Sequence, residues 1–397
     1  MKVYYSEANY GPEEIEAALN ILKNGRLALM NGENVRQVES EVSKIFNKKH
    51  GLMTNSGSSA NLLAVLGARL PKDSLVITPS LTFSTTVAPI VQGGHIPLFV
   101  DVELDTLQVD PNRIYEAAKK FQGKVSAIFV PNLIGNVANW EAIRSISEEF
   151  NLKVFEDSAD TLGYEYLSDE KELSDISTTS MYASHVVTGA GFGGVVCFND
   201  TKDYEYAKSL RSWGRRSSKY EESEDFERRF SAKIDGFDYD DKYIFDDLGY
   251  NLIPSEISAA FALIQIAKLQ ENINGRISNF KYLEERLNTD ECRTFSTYDN
   301  VRTGWLAFPI MLRGKAENKR KLIQTFLEKN NVQTRTIFTG NILRQPVAKK
   351  FKWESYSNQE NADKIMKNGI LLGCHNQMTE EKLDYQIKIL KKSFDTI

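Results

Sequence analysis

Between residues 75 and 155 the chain repeats one pattern: a short apolar run, then a helical stretch. The runs are Leu75-Val76-Ile77, Ile96-Pro97-Leu98-Phe99-Val100, Ala127-Ile128-Phe129-Val130 and Val154-Phe155. Runs without polar alternation suit strands buried on both faces, and intervening helices suit parallel crossovers. The pattern therefore predicts an α/β fold, a mostly parallel sheet with helices on both sides.

The flanking segments extend this frame. Residues 12–24 read as a helix, with Pro12 in the first turn and Ile15, Ala18, Leu19 and Leu22 at helical spacing. A second helix is expected over about 34–47. The charged stretch 216–242 reads as a long surface excursion. A single long helix is expected over about 254–289, opening at Pro254 and Ser255. A smaller C-terminal unit follows, with a strand at Leu306–Leu312 and helices over about 316–330 and 379–394. A chain of 397 residues supports two cores. The expected units are 1–253, a large cofactor-binding domain, and 254–397, a linker helix with a small C-terminal α+β domain.

Several function classes find no support. The net charge of −5 gives no reason to expect nucleic acid or an anionic membrane as partner. No apolar run approaches the roughly 18–20 residues that span a bilayer. Met1-Lys2-Val3-Tyr4-Tyr5 is not signal-like. Cys197, Cys292 and Cys374 are far apart, without metal or redox spacing. Free buried thiols and a cytoplasmic location are the expectation.

Three motifs carry chemistry. Thr54-Asn55-Ser56-Gly57-Ser58-Ser59-Ala60-Asn61 precedes an apolar helical run, so backbone amides and hydroxyls face outward at a helix start, where an anion is favoured; the same composition also suits an ordinary N-cap. Phe155-Glu156-Asp157-Ser158-Ala159 is a strand ending in a carboxylate, the end at which open α/β sheets hold ligands; the same pattern also suits a solvated loop acid. Thr179-Ser180-Met181-Tyr182-Ala183-Ser184-His185 leads into the glycine cluster Gly189–Gly194. Those glycines allow sharp turns; a lone histidine is more often structural than catalytic, and its near-neutral titration also suits proton transfer.

Taken in order, these motifs resemble the DegT/DnrJ/StrS-type sugar aminotransferases, a group of fold-type-I pyridoxal-phosphate enzymes of aspartate-aminotransferase-like architecture. The resemblance implies that Gly57 and Ser58 belong to the phosphate loop. Phe83, within Thr82-Phe83-Ser84-Thr85-Thr86, would stack on the pyridine ring. Asp157 would pair with the ring nitrogen, and Ser180 would bind the phosphate. Asn251, within Gly249-Tyr250-Asn251, would reach the cofactor phosphate of a neighbouring subunit, which implies a homodimer with shared sites. The segments Thr334–Pro346 and Asn368–Asn376 resemble a substrate side, which implies roles for Arg335, Asn341, Arg344 and His375.

One departure decides the reaction expected. The family's Schiff-base lysine falls at position 185, where this chain has His185. An imidazole moves protons but forms no Schiff base. Lys171 and Lys202, the nearest lysines, lie outside the motif. The substitution resembles a subgroup, the nucleotide-4-keto-6-deoxyhexose 3-dehydratases of the colitose-pathway type, which work with pyridoxamine phosphate. This implies noncovalent pyridoxal or pyridoxamine phosphate, a nucleotide-linked 4-keto-6-deoxy sugar as substrate, and an amino donor such as glutamate. Val186 stands where the subgroup often has a second histidine, Phe192 stands where it usually has an acid, and the segment after the histidine is longer. One branch carries an iron–sulfur cluster on four cysteines; none lies near Ser212–Ser218, so no cluster and no metal are expected. Two alternatives are a nucleotide-sugar aminotransferase and a non-catalytic nucleotide-sugar-binding homologue.

Overall fold

The computed structural model describes residues 1–167, 172–220 and 225–396; Lys171 and part of the 216–242 stretch lie outside the described residues. Helices α1 (Pro12–Asn24) and α2 (Glu33–Ile45) come first. The strands β1 (His50–Thr54), β2 (Leu75–Pro79), β3 (Ile96–Val100), β4 (Val125–Pro131) and β5 (Lys153–Ser158) follow. After the short β6 (Glu165–Tyr166) come β7 (Ile176–Ser180) and β8 (Gly194–Phe198). The main sheet has the order β1–β8–β7–β5–β4–β2–β3, closed at its edge by Glu354–Ser355 parallel to β3. Only β8 runs against its neighbours. The fold is the mostly parallel α/β architecture expected.

Strand periodicity explains why both faces are covered. Leu75, Ile77, Ile128, Val130 and Val154 face one way and pack on α5 (Pro111–Lys120) and α6 (Trp140–Phe150) through Ile114, Trp140 and Ile143. Val76, Ala127, Phe129 and Phe155 face the other way and meet Leu63 of α3 (Gly57–Gly67) and Leu210 of α7 (Thr201–Arg211). Alternate residues on opposite faces, each under a helix, are why the runs have no polar positions. Between β2 and β3, α4 (Ser84–Gln92) crosses over.

Two expectations for residues 216–289 are corrected. The 216–242 stretch holds more structure than a bare loop. It contains α8 (Phe226–Ser231), capped by Asp225, and a hairpin of Lys233–Ile234 with Phe237–Asp238. The hairpin turns at Asp235-Gly236, both at positive φ, the residue pair that two-residue hairpins favour. The single long helix is instead two, α9 (Glu256–Ala267), capped by Ser255, and α10 (Leu269–Leu287). The break at Lys268 arises because the two halves serve different neighbours. Helix α9 packs on α1 and α2, and α10 packs on the C-terminal helix. Lys268 is itself held by Glu13 and Glu14 of α1.

The C-terminal part has a three-stranded antiparallel sheet, Cys292–Arg293, Phe308–Leu312 and Gly369–Leu372. Helices α11 (Arg320–Lys329), α12 (Glu360–Asn368) and α13 (Glu380–Phe394) accompany it. The expected helix at 316–330 begins later, because Gly314–Ala316 forms a separate 3-10 turn and Asn318 takes a positive φ. The N-terminus joins this core: Val3 exchanges backbone hydrogen bonds with Asn331 and Gln333. Tyr5 is thereby delivered to the space between the main sheet and the C-terminal part.

Candidate active site

A cavity of about 600 Å³ opens at the carboxyl ends of β5 and β7, where open α/β sheets place their ligands. Gly57, Ser58, Phe83, Asp157, Ser180 and His185 all line it. Four elements supply them: the start of α3, the start of α4, the end of β5, and the turn after β7.

The start of α3 and the end of β7 make an anion cradle. Ser56 caps α3, its hydroxyl accepting the Ser59 amide at 3.2 Å. A Cβ on Gly57 would lie 2.6 Å from the Cβ of Ser180, so only glycine lets the two segments approach this closely. The Gly189–Gly194 turn supports the same corner: the Gly193 amide donates to the Asn55 carbonyl, and the Met181 amide to the Gly193 carbonyl. Small side chains, a helix start and inward hydroxyls suit a phosphate.

Asp157 and Glu156 show how strand geometry separates two adjacent acids. Glu156 faces a closed polar cluster, accepting from Asn132, Ser158, Tyr164, Ser174 and Ser177. Asp157 faces the cavity. Its Oδ2 accepts from Thr86 at 2.7 Å and Asn61 at 2.8 Å, and its Oδ1 from the Ala159 amide at 3.1 Å. Burial pushes its carboxyl above the usual range, while these three bonds pull the other way. Among the described residues no ion pair compensates its charge, so a protonated ring nitrogen fits here. Asn61 and Thr86 were within motifs read from the sequence, but their role in holding Asp157 emerges only from the contacts.

His185 is half-buried, with its amide bonded to the Tyr182 carbonyl and its ring edge-on to Tyr182. Its Nδ1 is buried and has no hydrogen-bond partner among the described residues. Burial pushes the imidazole down to about 4, with the nearby Arg276 guanidinium acting in the same sense and backbone contacts at Ser180 and Ala159 opposing it. The ring is therefore neutral at neutral pH and able to accept a proton. Arg276 itself is a buried brace: it donates to the carbonyls of Trp305, Leu306 and Ser184, tying the histidine turn to the C-terminal part.

Phe83 is half exposed at the rim and meets Phe338 edge-on at 5.6 Å. Asn251 does not line the cavity of its own chain. Its side chain is exposed, while the next residue, Leu252, accepts the Asn55 amide and so ties the segment to the phosphate-side loop. Of the residues expected on the substrate side, Arg335 does not line the cavity, but its guanidinium lies over the ring of Tyr5, which does. Asn341 and Arg344 are both bonded to Asp363. His375 lies under the N-terminal segment, its Nε2 at 3.1 Å from the Tyr4 carbonyl. These three brace the loops around the cavity in this chain and do not line it. Tyr5 and Asp160 do line it. Neither stands out in the sequence, since Tyr5 is far from every motif and Asp160 lies just past one.

The chain matches the DegT/DnrJ/EryC1/StrS aminotransferase family over residues 9–391. It belongs to that family. Among its relatives, lipopolysaccharide biosynthesis protein RfbH of Salmonella typhimurium is 32% identical over 90% of this chain and 84% of that protein. The dTDP-4-dehydro-2,6-dideoxy-D-glucose 3-dehydratase of Saccharopolyspora spinosa is also 32% identical, over 94% of this chain and 82% of that protein. The solved E. coli GDP-4-keto-6-deoxy-D-mannose-3-dehydratase with bound hydrated PLP superposes with a TM-score of 0.85 at 26% identity, covering 98% of this chain and 100% of that one. The fold is thus that of the fold-type-I sugar aminotransferases. The phosphate cradle and the uncompensated Asp157 of this chain fit the group that this relative holds. Among the described residues no cluster of three or more His, Cys, Asp or Glu is placed to hold a metal ion, and all three cysteines are free and buried.

Proposed function

We propose that this family member is a 3-dehydratase acting on a nucleotide-linked 4-keto-6-deoxyhexose, with His185 as its base. One observation carries the reading: among the described residues the cavity lining includes His185 and no lysine. Lys202 is exposed near the start of α7, away from the lining. The 3-dehydratases among the relatives support the same reaction class.

The chain's own residues define the chemistry. Gly57, Ser58 and Ser180 would hold the cofactor phosphate noncovalently, with Asn251 of a second subunit completing that end. Asp157 would keep the ring nitrogen protonated, and Phe83 would lie against the ring. Pyridoxamine phosphate, when bound, supplies an amine for the 4-keto group and a conjugated electron sink. His185, neutral because it is buried, takes a proton from carbon as the 3-hydroxyl departs. Arg276 fixes the turn that carries His185. Tyr5, with Arg335 over its ring, would meet the sugar nucleotide. An amino donor such as glutamate restores the amine after each cycle.

Product analysis tests the reading. The protein, given the keto-sugar and glutamate, is expected to yield a 3-deoxy sugar and ammonia. Borohydride treatment of the protein loaded with pyridoxal phosphate is expected to leave no cofactor mass on the chain. An amino sugar as the product, or a stable lysine adduct, would place the chain with the aminotransferases instead.

The shared site gives a second expectation. Asn251→Ala and His185→Ala are each expected to be inactive. Once subunits exchange, the mixture should regain activity, because a hybrid dimer contains one site carrying neither lesion. Subunit exchange shown by mass, without any return of activity, would rule out a site built from two chains.

A further inference from the structure

Asp160 stands three residues beyond Asp157, just past the end of β5, in the wall of the same cavity. Its carboxyl has one hydrogen bond among the described residues, accepted by Oδ2 from the Ile134 amide at 2.8 Å, and no ion pair. That single bond comes from a strained place. Ile134 is β-branched, fully buried, and held at a φ of 61°. L side chains rarely adopt this conformation, and such strain persists where the surroundings enforce it. Here the Leu306 amide donates to the Ile134 carbonyl at 2.8 Å, and the Thr303 hydroxyl to the Gly135 carbonyl at 2.5 Å. The loop is thus locked with one amide aimed at Asp160, and the other carboxyl oxygen of this cavity-lining residue has no hydrogen bond among the described residues.

We propose that Asp160 is the general acid of this site: it protonates the oxygen that leaves the sugar, while His185 removes the proton from carbon. This deepens the dehydratase reading and rests on it. The titratable groups that bear on Asp160 are Asp157 and, across the cavity wall, Tyr5. Burial, with Asp157 adding to it, pushes the Asp160 carboxyl up to about 7. Burial pushes His185 the other way, to about 4. Near neutral pH the cavity therefore holds a carboxyl that is partly protonated and an imidazole that lacks a proton. Two groups driven apart by their surroundings divide the roles of acid and base.

The step balances without an oxidant or reductant. The carbon–hydrogen bond breaks and its proton goes to the His185 imidazole. The electron pair passes through the conjugated system to carbon 3. The carbon–oxygen bond breaks with its pair on oxygen, and the Asp160 proton completes a water molecule. His185 ends protonated and Asp160 ionised, and exchange with solvent resets both.

Two measurements test this. Carboxyl-13C-labelled aspartate in the cofactor-free protein is expected to show one resonance titrating with a midpoint of about 7, lost in Asp160→Asn. A titration at the ordinary aspartate value, near ~4, overturns the proposal whatever the activities. The second compares leaving groups. With the 3-hydroxy sugar, Asp160→Asn is expected to lose about 10²-fold or more in turnover. With the 3-fluoro analogue, whose fluoride leaves without a proton, Asp160→Asn is expected to stay within a few-fold of wild type. Equal losses on both substrates, or no loss on either, overturn the acid role while wild-type elimination upholds the dehydratase reading. Wild type that eliminates neither water nor fluoride overturns both together.

Discussion

Replacement of His185 by asparagine is expected to leave cofactor and keto-sugar binding intact and to lower turnover about 10²–10⁴-fold, the usual cost of losing a general base. Binding is expected to survive because the groups proposed to anchor the cofactor are elsewhere in the cavity lining: Gly57, Ser58, Ser180, Asp157 and Phe83. An asparagine has no basic nitrogen, so the proton on carbon has nowhere to go. His185→Lys is expected to behave differently. Its amine would sit in the same wall of the cavity, form a borohydride-reducible bond to pyridoxal phosphate, and divert the product toward an amino sugar. Absorbance spectra with each B6 form, together with product analysis, read both variants. An asparagine variant with wild-type turnover would remove His185 from the chemistry.

The Asp157→Asn variant is expected to keep the fold and most cofactor retention while losing far more turnover. The replacement is nearly isosteric, so an amide oxygen can still accept from Thr86 and Asn61. The negative charge is what disappears. An adjacent carboxylate favours a protonated partner by about 1–3 pKa units, or about 1.4–4 kcal/mol. Without it the ring nitrogen loses its proton more readily and the electron sink weakens. Turnover under saturating cofactor, compared with the cofactor dissociation constant, separates the two effects. Equal changes in both would assign Asp157 to anchorage alone.

Parts of this arrangement are readable from the chain itself. The apolar runs at 75–77, 96–100, 127–130 and 154–155 have no polar positions because both faces of their strands are covered. Gly57, Asp157 and Ser180 sit beside short-range signals, a helix start and two strand ends, which local sequence encodes. The Asp235-Gly236 hairpin was also encoded locally, as a turn pair within a charged stretch. The break at Lys268 was not: no proline or glycine marks it, and it follows from the different surfaces that α9 and α10 cover.

The residue types near the chemistry were set by sequence order, and the absence of a lysine at position 185 narrows the chemistry on its own. Their working states depend on tertiary structure. His185 is pushed down to about 4 because the surrounding fold withdraws its ring from water, and Asp160 is pushed up to about 7 for the same reason. Tyr5 reaches the cavity only because Val3 pairs with a segment more than three hundred residues away. Asn341, Arg344 and His375 are drawn to Asp363 and the Tyr4 carbonyl by contacts that no local pattern announces. Local sequence specifies turns, caps and strand faces because those depend on neighbours along the chain. Burial and long-range pairing set ionisation and position, because they depend on which distant segments exclude water from the site.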